Sequence, residues 1–252
     1  MPSILFVYTS TNRTLSGNPT GWYLPEAAHP YWVLQPHFNI EFAAPDGPNP
    51  PVDTNSVKQF TEDVESVNFL KDGKVKEKFE KAKEIAKVNP ADYDAIFYVG
   101  GHGPVLDLAF DKNNAALASQ MYQAGKIISA VCHGPAALVG AADASGKSIF
   151  AGKRITGFSN AEEEAVGKVQ EVPFLLETKI QELGGKFEKA PSRGSPMSWS
   201  MGNSSQARIR RRLAGLPRKF SKHCASERQR QSVRQGQKNS VVVLFQSGLC
   251  GA

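Results

Sequence analysis

The 252-residue sequence is short of cysteine and has no long apolar run. Its 3 cysteines, Cys132, Cys224 and Cys250, are widely separated, which argues against a disulfide framework and a Cys-x-x-Cys metal site. No apolar stretch reaches the roughly 20 residues of a membrane span. The apolar run at residues 4–8 is too short for a signal-peptide core, and no basic residue precedes it. We therefore expect a cytoplasmic protein, with the nucleus as a second location, whose cysteines stay reduced.

Basic charge is concentrated at one end of the chain. The whole sequence has 30 Lys and Arg against 24 Asp and Glu, but residues 191–252 hold 12 of the bases and a single acid, Glu227. This segment is rich in Ser, Arg and Gln and lacks periodicity before residue 241, so we expect it to be disordered. The arginines at 208–212 could neutralise phosphates. Without interleaved aromatic residues or a recognisable module, however, we expect no nucleic-acid partner.

Apolar strands alternate with amphipathic helices between residues 1 and 190. Strands are predicted at residues 3–9, 38–43, 95–99, 126–131 and 154–157, and helices at 21–35, 75–88, 113–124, 134–142, 160–168 and 173–183. Continuous apolar strands that alternate with helices predict an α/β fold in which helices sandwich a mainly parallel sheet. In such a sheet, reactive groups collect beyond the carboxyl ends of the strands.

The strand at 126–131 runs directly into Cys132-His133-Gly134-Pro135. This is the pattern of a nucleophile elbow, in which the residues two before and two after the nucleophile must be small, and here they are Ala130 and Gly134. A helix amino terminus behind the cysteine would stabilise a thiolate, and the His133 N–H could face an oxyanion. The alternative is a buried core cysteine, but such a residue has no reason to precede His-Gly-Pro.

A glycine-rich loop, Gly100-Gly101-His102-Gly103-Pro104, follows the strand at 95–99. Its glycines allow a close approach of the backbone, which would let the Gly101 N–H donate a second oxyanion hydrogen bond. A tight turn or a phosphate-binding loop would also fit the glycines. The loop lacks the Gly-Lys-Ser/Thr sequence of a nucleotide P-loop.

Four segments together carry a resemblance to a known family. They are Gly100-Gly101-His102-Gly103, Ala130-Val131-Cys132-His133-Gly134-Pro135, Thr20-Gly21-Trp22-Tyr23-Leu24-Pro25-Glu26 and Ile155-Thr156-Gly157-Phe158-Ser159-Asn160-Ala161-Glu162-Glu163-Glu164. The first two resemble the ThiJ/PfpI superfamily, and the last two resemble its heat-shock-chaperone-type branch, the glutathione-independent glyoxalases (glyoxalase III, D-lactate dehydratase). The resemblance covers about residues 2–190 and implies a class I glutamine amidotransferase-like, flavodoxin-like architecture.

This resemblance also implies roles for individual residues. The nucleophile falls on Cys132 and the catalytic histidine on His133. The acid that orients this histidine falls in the run 162–164 and is placed at Glu163, and the acid bonded to the thiol falls on Glu26. Gly101 and His102 are predicted to bind the oxyanion or the substrate. Further candidates to line the pocket are Trp22, Tyr23 and His29.

The implied reaction is the conversion of methylglyoxal, a small 2-oxoaldehyde, to D-lactate through a cysteine hemithioacetal, with no metal or organic cofactor. The resemblance also allows a homodimer. Two alternatives stay open from the residues alone. A Cys-His-Glu triad can serve an amidohydrolase, peptidase or protein deglycase, and a reactive thiol can serve a holdase chaperone or an oxidative-stress sensor.

The family pattern stops near Ala190, so we predict a catalytic domain at 1–190 followed by a non-family tail at 191–252. The resemblance implies that family members continue with another strand, a Gly-x-Asn-Pro-Ala-Ser-type turn and a closing helix, and we recognise none of these in the sequence. We interpret the basic tail as the product of a frameshift or a retained intron. If the tail belongs to the protein, the fold lacks a covering helix.

Overall fold

The computed structural model describes residues 1–189 and, by their backbone alone, the strands Met197–Ser200 and Ser240–Phe245. A seven-stranded sheet forms its centre. The strands in chain order are β1 Ser3–Val7, β2 Asn39–Ala44, β3 Lys83–Glu84, β4 Ala95–Tyr98, β5 Ile127–Val131, β6 Arg154–Ile155, β7 Lys186–Phe187, β8 Met197–Ser200 and β9 Ser240–Phe245. Their order across the sheet is β3-β2-β1-β4-β5-β9-β8, and β6 and β7 form a separate pair.

Neighbouring strands of the main sheet run parallel, except for the antiparallel pair β8 and β9. Strands β1 and β4 are the most deeply buried, since Leu5, Phe6, Val7 and their neighbours in β4 are shielded from water. Continuous apolar strands are typical of a parallel sheet that is covered on both faces. The predicted mainly parallel α/β sheet is confirmed.

Eight α-helices lie in the described part of the chain, and most of them connect successive strands. They are α1 Leu24–Leu34, α2 Thr54–Gln59, α3 Val64–Lys71, α4 Gly73–Glu80, α5 Gly103–Leu106, α6 Lys112–Gln123, α7 Asn160–Ala165 and α8 Leu176–Glu182. Asp53, Asp63, Asp72 and Asp111 cap α2, α3, α4 and α6 by accepting backbone N–H bonds, and each such cap contributes about 1 kcal/mol. None of the described helices is both long and apolar enough to cross a membrane.

The prediction of a helix at 75–88 is wrong for the second half of that range. Helix α4 ends at Glu80, after which Lys83–Glu84 joins β2 as an edge strand and residues 85–87 form a 3₁₀ turn. Ala82 and Ile85 are buried as the pattern predicts, but they flank an edge strand instead of lying on a helix face. Tertiary context has overridden local propensity here. Helices α2 and α3 were not predicted, although Asp53 and Asp63 are recognisable cap signals.

The structure also corrects the prediction of disorder for part of the 191–252 segment. Strand β9 pairs with β5 from Ile127↔Ser240 to Val131↔Leu244, and β8 pairs with the outer side of β9. The run Val-Val-Val-Leu-Phe has strong strand propensity, and it covers an edge that would otherwise expose unpaired backbone groups. The remainder of the predicted tail, with its arginine cluster, lies outside the described residues.

Candidate active site

The turn after β5 holds Cys132 in an unusual backbone conformation. Its φ is 55°, in the left-handed region that non-glycine residues adopt at a cost of about 1–3 kcal/mol. A Cβ on Gly134 would lie 2.6 Å from the Tyr98 carbonyl oxygen and 3.4 Å from the Cβ of Ala130. The crowding explains why small residues flank the cysteine at both positions. The strained turn lifts Cys132 beyond the carboxyl end of the sheet, with 5% of its surface exposed.

The side chains of His133 and Glu163 extend from Cys132 in a line. The Cys132 Sγ lies 3.4 Å from His133 Nδ1, and His133 Nε2 lies 2.6 Å from Glu163 Oε2. Glu163 is buried in the first turn of α7, where a capping box between Ser159 and Glu162 fixes the start of the helix. Of the three adjacent glutamates, only Glu163 thus contacts His133, since Glu162 caps the helix and Glu164 is exposed.

A second histidine shares the Glu163 carboxylate. His102 Nε2 lies 2.8 Å from Glu163 Oε1, so the two carboxylate oxygens accept one imidazole N–H each. The His133 ring contacts the ring of His102, at a centroid distance of 4.3 Å, and the ring of Phe158, at 4.2 Å. Hydrogen bonds and ring contacts therefore fix both the position and the orientation of His133.

The charges in this cluster are strongly coupled. Burial alone would raise the pKa of Glu163, but the charge of His133 and the hydrogen bonds from both histidines outweigh it and hold that pKa well below its usual range. Burial and the neighbouring His133 lower the pKa of His102 to about 4. At neutral pH, Glu163 is therefore an anion and His102 is an uncharged donor.

Glu26 approaches Cys132 from the side of α1. It is 2% exposed, and burial raises its pKa to about 8, although hydrogen bonds with Cys132 and with the Gly101 backbone offset part of the rise. The backbone N–H of Tyr23, the residue before α1, donates to the Gly100 carbonyl at 3.1 Å. This bond ties the start of α1 to the glycine-rich loop. A mainly protonated carboxyl and an imidazole thus flank the same sulfur atom.

Comparison with known proteins decides the family. The DJ-1/PfpI family model matches residues 52–173. The glutathione-independent glyoxalase HSP31 of Saccharomyces cerevisiae is 31% identical over 193 residues, which is 73% of this chain and 80% of that protein. Glyoxalase 3 of Candida albicans is 32% identical over 66% of this chain and 73% of its own length. The chain belongs to the DJ-1/PfpI family.

Two solved structures support the same assignment to the DJ-1/PfpI family. The crystal structure of glyoxalase III from Candida albicans matches with a TM-score of 0.72 at 25% identity, over 80% of this chain and 88% of that one. The Rapid Encystment Protein 24 KDa of Francisella tularensis matches with a TM-score of 0.75 at 29% identity, over 97% and 92%. The predicted resemblance to ThiJ/PfpI proteins of the glutathione-independent glyoxalase branch is confirmed, as is the flavodoxin-like, amidotransferase-like fold that it implied.

Several predicted pocket residues occupy other places in this DJ-1/PfpI fold. Trp22 is buried in an aromatic cluster with Tyr8, Phe69 and Phe79 and donates to the Pro50 carbonyl oxygen, so its indole has a packing role in the core. His29 pairs with Asp63 on the flank of α1, at 2.8 Å. The hydroxyl of Tyr23 bonds to Gln59.

The two predicted oxyanion or substrate groups on the glycine-rich loop already have partners in the structure. The Gly101 N–H bonds to the carboxyl of Glu26, and the Nε2 of His102 bonds to Glu163. The sequence could not reveal these bonds, because both partners are distant along the chain. Gly101 has a φ of 92°, and a Cβ there would lie 2.4 Å from the Gly21 carbonyl oxygen. Its glycine identity is thus explained by tight loop packing.

Two residues with structural roles in the site were not predicted. Phe158, which the sequence analysis names only as part of a motif, contacts the His133 ring in a tilted arrangement. Asp107 accepts bonds from the Thr9 hydroxyl and from the N–H groups of Ser10 and Thr11, which fastens the loop after β1 to the end of α5. The place of Phe158 just ahead of the acidic run could have suggested its role, whereas Asp107 has no local signal.

Two groups of side chains within the described residues offer donor atoms of the kind that hold metal ions. They are His102, His133 and Glu163, and His29, Asp63 and Glu65, with the donor atoms of each group within 4.8 Å of one another. In the first group, hydrogen bonds already satisfy both carboxylate oxygens. In the second, Asp63 caps α3 and binds His29. Hydrogen bonding therefore explains the contacts of Glu163 in the first group and of Asp63 and His29 in the second.

The raised pKa of Glu26 predicts a distinctive dependence of stability on pH. A carboxyl that binds its proton more tightly when folded stabilises the native state fully below its unfolded pKa, near 4.5, and this contribution is lost as the pH rises toward about 8. Glu26→Gln should remove that loss. The difference in unfolding free energy, variant minus wild type, should rise by up to about 1.4 kcal/mol per pH unit between pH 5 and 8. Thermal unfolding of both proteins across this range measures it, and parallel curves would contradict it.

The absence of a side chain at Gly100 allows Glu26 to approach Cys132. A Cβ at Gly100 would lie 2.2 Å from Glu26 Oε2 and 2.8 Å from the Cβ of Cys132. Gly100→Ala should therefore push the two groups apart and lower kcat/KM by about 10²-fold, the usual effect of a misplacement near 1 Å. Gly73→Ala is the matched control, because a Cβ at Gly73 meets nothing within 4 Å. Equal activity of the two variants would show that the close approach is unimportant.

Proposed function

We propose that this protein converts methylglyoxal and related 2-oxoaldehydes to D-lactate without glutathione, and so detoxifies reactive aldehydes. The observation that supports this most is the placement of Cys132 between the His133–Glu163 pair and the buried carboxyl of Glu26. Relatives that carry the name glutathione-independent glyoxalase match most of the chain. The proposed catalytic residues are Cys132, His133, Glu163 and Glu26, all within the 1–190 domain.

The first step is the addition of sulfur to the aldehyde. Glu163 accepts from His133 Nε2, which leaves the lone pair of Nδ1 facing the thiol. The His133 ring takes the thiol proton, and the Cys132 sulfur attacks the aldehyde carbon C1. The carbonyl oxygen becomes an oxyanion that the backbone N–H of His133 can stabilise. Return of the proton to that oxygen gives a neutral hemithioacetal. The Gly101 N–H holds Glu26 and does not take part at this stage.

The second step moves a hydrogen from C1 to C2. A base beside the sulfur, either His133 or Glu26, removes the C1 proton, and the C2 carbonyl oxygen gains a proton to form an enediol. Reprotonation at C2 and loss of the C1 hydroxyl proton give a lactoyl thioester on Cys132. A carboxyl with a pKa of about 8 can both donate and take back a proton near neutral pH, which suits it to this transfer.

The third step releases the product. Water adds to the thioester carbonyl carbon, the C–S bond breaks, and the sulfur regains a proton as lactate leaves. The cysteine thus supplies the thiol that glutathione would otherwise provide, and the atoms balance as methylglyoxal plus water to lactate. The oxidation of C1 in the second step is balanced by the reduction of C2, so the sequence requires no external oxidant or reductant and no organic cofactor.

The proposal is tested with the purified full-length chain and methylglyoxal in the absence of glutathione. We expect D-lactate to accumulate in equal amount to the methylglyoxal consumed, as measured by chiral chromatography, and added glutathione should leave the enzymatic rate unchanged. A folded protein, shown by circular dichroism, that produces no lactate would contradict the proposal. Lactate that forms only when glutathione is present would contradict it as well.

The triad geometry also fits a second reaction class. A Cys-His-Glu arrangement serves amide hydrolysis in other folds, and a deglycase would use the same sulfur. The protonated carboxyl of Glu26, which also bonds to the sulfur, favours the aldehyde reaction, because hydrolysis by a triad does not require it. Amine release from peptide or glycated substrates, compared with lactate release at equal enzyme concentration, separates the two. A holdase or oxidative-stress sensor would retain its protective activity in a Glu163→Gln variant.

The proposal includes a location and an assembly. We place the enzyme in the cytoplasm, with the nucleus as a second location, because its cysteines are few and widely separated. The substrate is its only proposed small-molecule partner, and a homodimer is the proposed assembly. Fluorescence of the tagged full chain in cells and light scattering of the purified protein test these two points.

A further inference from the structure

His102 lies where the glycine-rich loop turns toward α7. Its Nε2 is 2.8 Å from Glu163 Oε1, while His133 Nε2 is 2.6 Å from Glu163 Oε2. The two histidines come from different loops, since one follows β4 and the other follows β5. One buried carboxylate therefore receives a hydrogen bond from each of two imidazoles. The Cys132–His133–Glu163 triad uses only one of these bonds.

The chemistry of Glu163 determines the tautomers of both histidines. An ionised carboxylate can only accept, so the hydrogen must sit on Nε2 of each ring. This leaves His133 Nδ1 unprotonated and 3.4 Å from the Cys132 sulfur. His102 stays neutral near pH 7, because burial and the proximity of His133 lower its pKa to about 4. His102 thus supplies a hydrogen-bond donor without adding a positive charge.

We propose that His102 is a positioning residue that controls, through Glu163, how tightly His133 holds its proton. Its hydrogen bond partly neutralises the carboxylate and fixes the carboxylate plane against His133. Without this donor, the full negative charge of Glu163 would act on His133 and stabilise the imidazolium more strongly. The proposal replaces the direct contact with substrate that the sequence suggested for His102. It rests on the proposed function only in taking Cys132, His133 and Glu163 as the reacting groups.

The packing around the cluster supports a positioning role. The rings of His102 and Phe158 both contact the His133 ring, at 4.3 and 4.2 Å between centroids, and they contact each other at 6.1 Å. The side chain of His102 is 14% exposed, whereas that of His133 is 1% exposed. His102 is therefore the more exposed of the two imidazoles that bind Glu163. The His133–Glu163 bond is itself buried, with the two side chains 1% and 3% exposed, and a buried bond of this kind is stronger than an exposed one.

Four other titratable or charged groups could affect the protonation of His133 and of the Cys132 thiol. Cys132 and Glu163 contact His133 directly, Glu26 reaches the sulfur from α1, and Lys168, beyond α7, acts unfavourably on a protonated His102. A substitution at His102 leaves these four in place. Changes in the pH profile of such variants can therefore be assigned to the lost donor.

The test measures the alkylation of Cys132 by iodoacetamide as a function of pH, followed by mass spectrometry of the peptide that contains Cys132. It requires no aldehyde turnover, so its outcome is independent of the glyoxalase assay. His102→Phe retains a ring against His133 but removes the N–H donor. A more strongly held imidazolium proton favours the thiolate, so we expect the half-maximal pH to fall by about half a unit to one unit. His102→Gln keeps an N–H donor and should restore the wild-type midpoint.

Glu163→Gln is the reference for a shift in the opposite direction. Loss of the carboxylate destabilises the imidazolium form of His133, so the half-maximal pH of Cys132 alkylation should rise. If His102→Phe fails to fold, His102→Leu takes its place in the same comparison. An unchanged or raised midpoint in the donor-free variant would overturn the proposal, and so would a His102→Gln midpoint that shifts as far as that of His102→Phe. If His102 had a purely structural role, substitutions at His102 would lower the melting temperature. His102→Phe and Glu163→Gln would then not shift the alkylation midpoint in opposite directions.

Discussion

Replacement of Cys132 by serine is expected to lower kcat with methylglyoxal on the order of 10⁴-fold or more, since loss of a triad nucleophile has effects of this size. A hydroxyl in place of the thiol forms almost no alkoxide at neutral pH, so the first covalent step fails. Serine is close to cysteine in size, and the strained turn at φ 55° accepts either residue equally. The fold should therefore persist, which circular dichroism and the melting temperature will show. Lactate production measured on the same preparation gives the loss.

The chain contains its own controls for the Cys132 experiment. Cys224 and Cys250 carry the only other thiols, and both come after residue 190, outside the proposed catalytic domain. Cys224→Ser and Cys250→Ser should each keep wild-type turnover. Substantial lactate production by Cys132→Ser would rule out the covalent hemithioacetal, and a large loss in either control would show that the sequence after residue 190 takes part in catalysis.

Glu163→Gln is expected to have the second largest effect, a loss in kcat of about 10³–10⁴-fold. The amide keeps the size of the side chain but can donate to His133 Nε2, which now lies 2.6 Å from a carboxylate oxygen. That donation would place the imidazole hydrogen on Nδ1, the nitrogen that faces the Cys132 sulfur, and so prevent His133 from acting as the base. The equivalent change in a serine-protease triad costs about 10⁴-fold for the same reason. Steady-state kinetics near neutral pH measure the effect.

Glu164→Gln is the matched control for this prediction. It makes the same chemical change one residue away, on the exposed side of α7, and should leave kcat and KM unchanged. The pair also tests the placement of the acid within the 162–164 run. Equal losses in both variants, or a greater loss in Glu164→Gln, would show that the contact between Glu163 and His133 does not orient the base.

Some features of the site could be predicted because their causes are local. The elbow at Cys132 needs an apolar strand, a turn crowded enough to demand Ala130 and Gly134, and the start of a helix, all within ten residues. The carboxyl ends of β4 and β5 must then be close together, because the two strands pair in register from Ala95↔Ile127 onward. Glu26 and Glu163 were assigned by family resemblance, since an isolated glutamate carries no local signal of function.

Other features had no local cause to be recognised. The helix predicted at 75–88 ends early because residues 83–84 pair with β2, whose partner residues lie 40 positions earlier in the sequence. The bonds from His102 to Glu163 and from Gly101 to Glu26 join residues from separate connections of the sheet. Strand β9 reaches the edge of β5 from a segment that the composition indicated was disordered.

The sequence by itself determined the parallel α/β fold and the place of Cys132 at the mouth of the sheet. Apolar runs, turn residues and small neighbours act over a few positions, where burial and backbone sterics are enough to decide the outcome. Only the tertiary structure decided which groups of the site are joined by hydrogen bonds. Glu163 binds two imidazoles, and Gly101 is engaged by Glu26, because the packing of α1 and α7 against the loops after β4 and β5 brings these groups within hydrogen-bond distance. That packing depends on contacts spread over the whole domain.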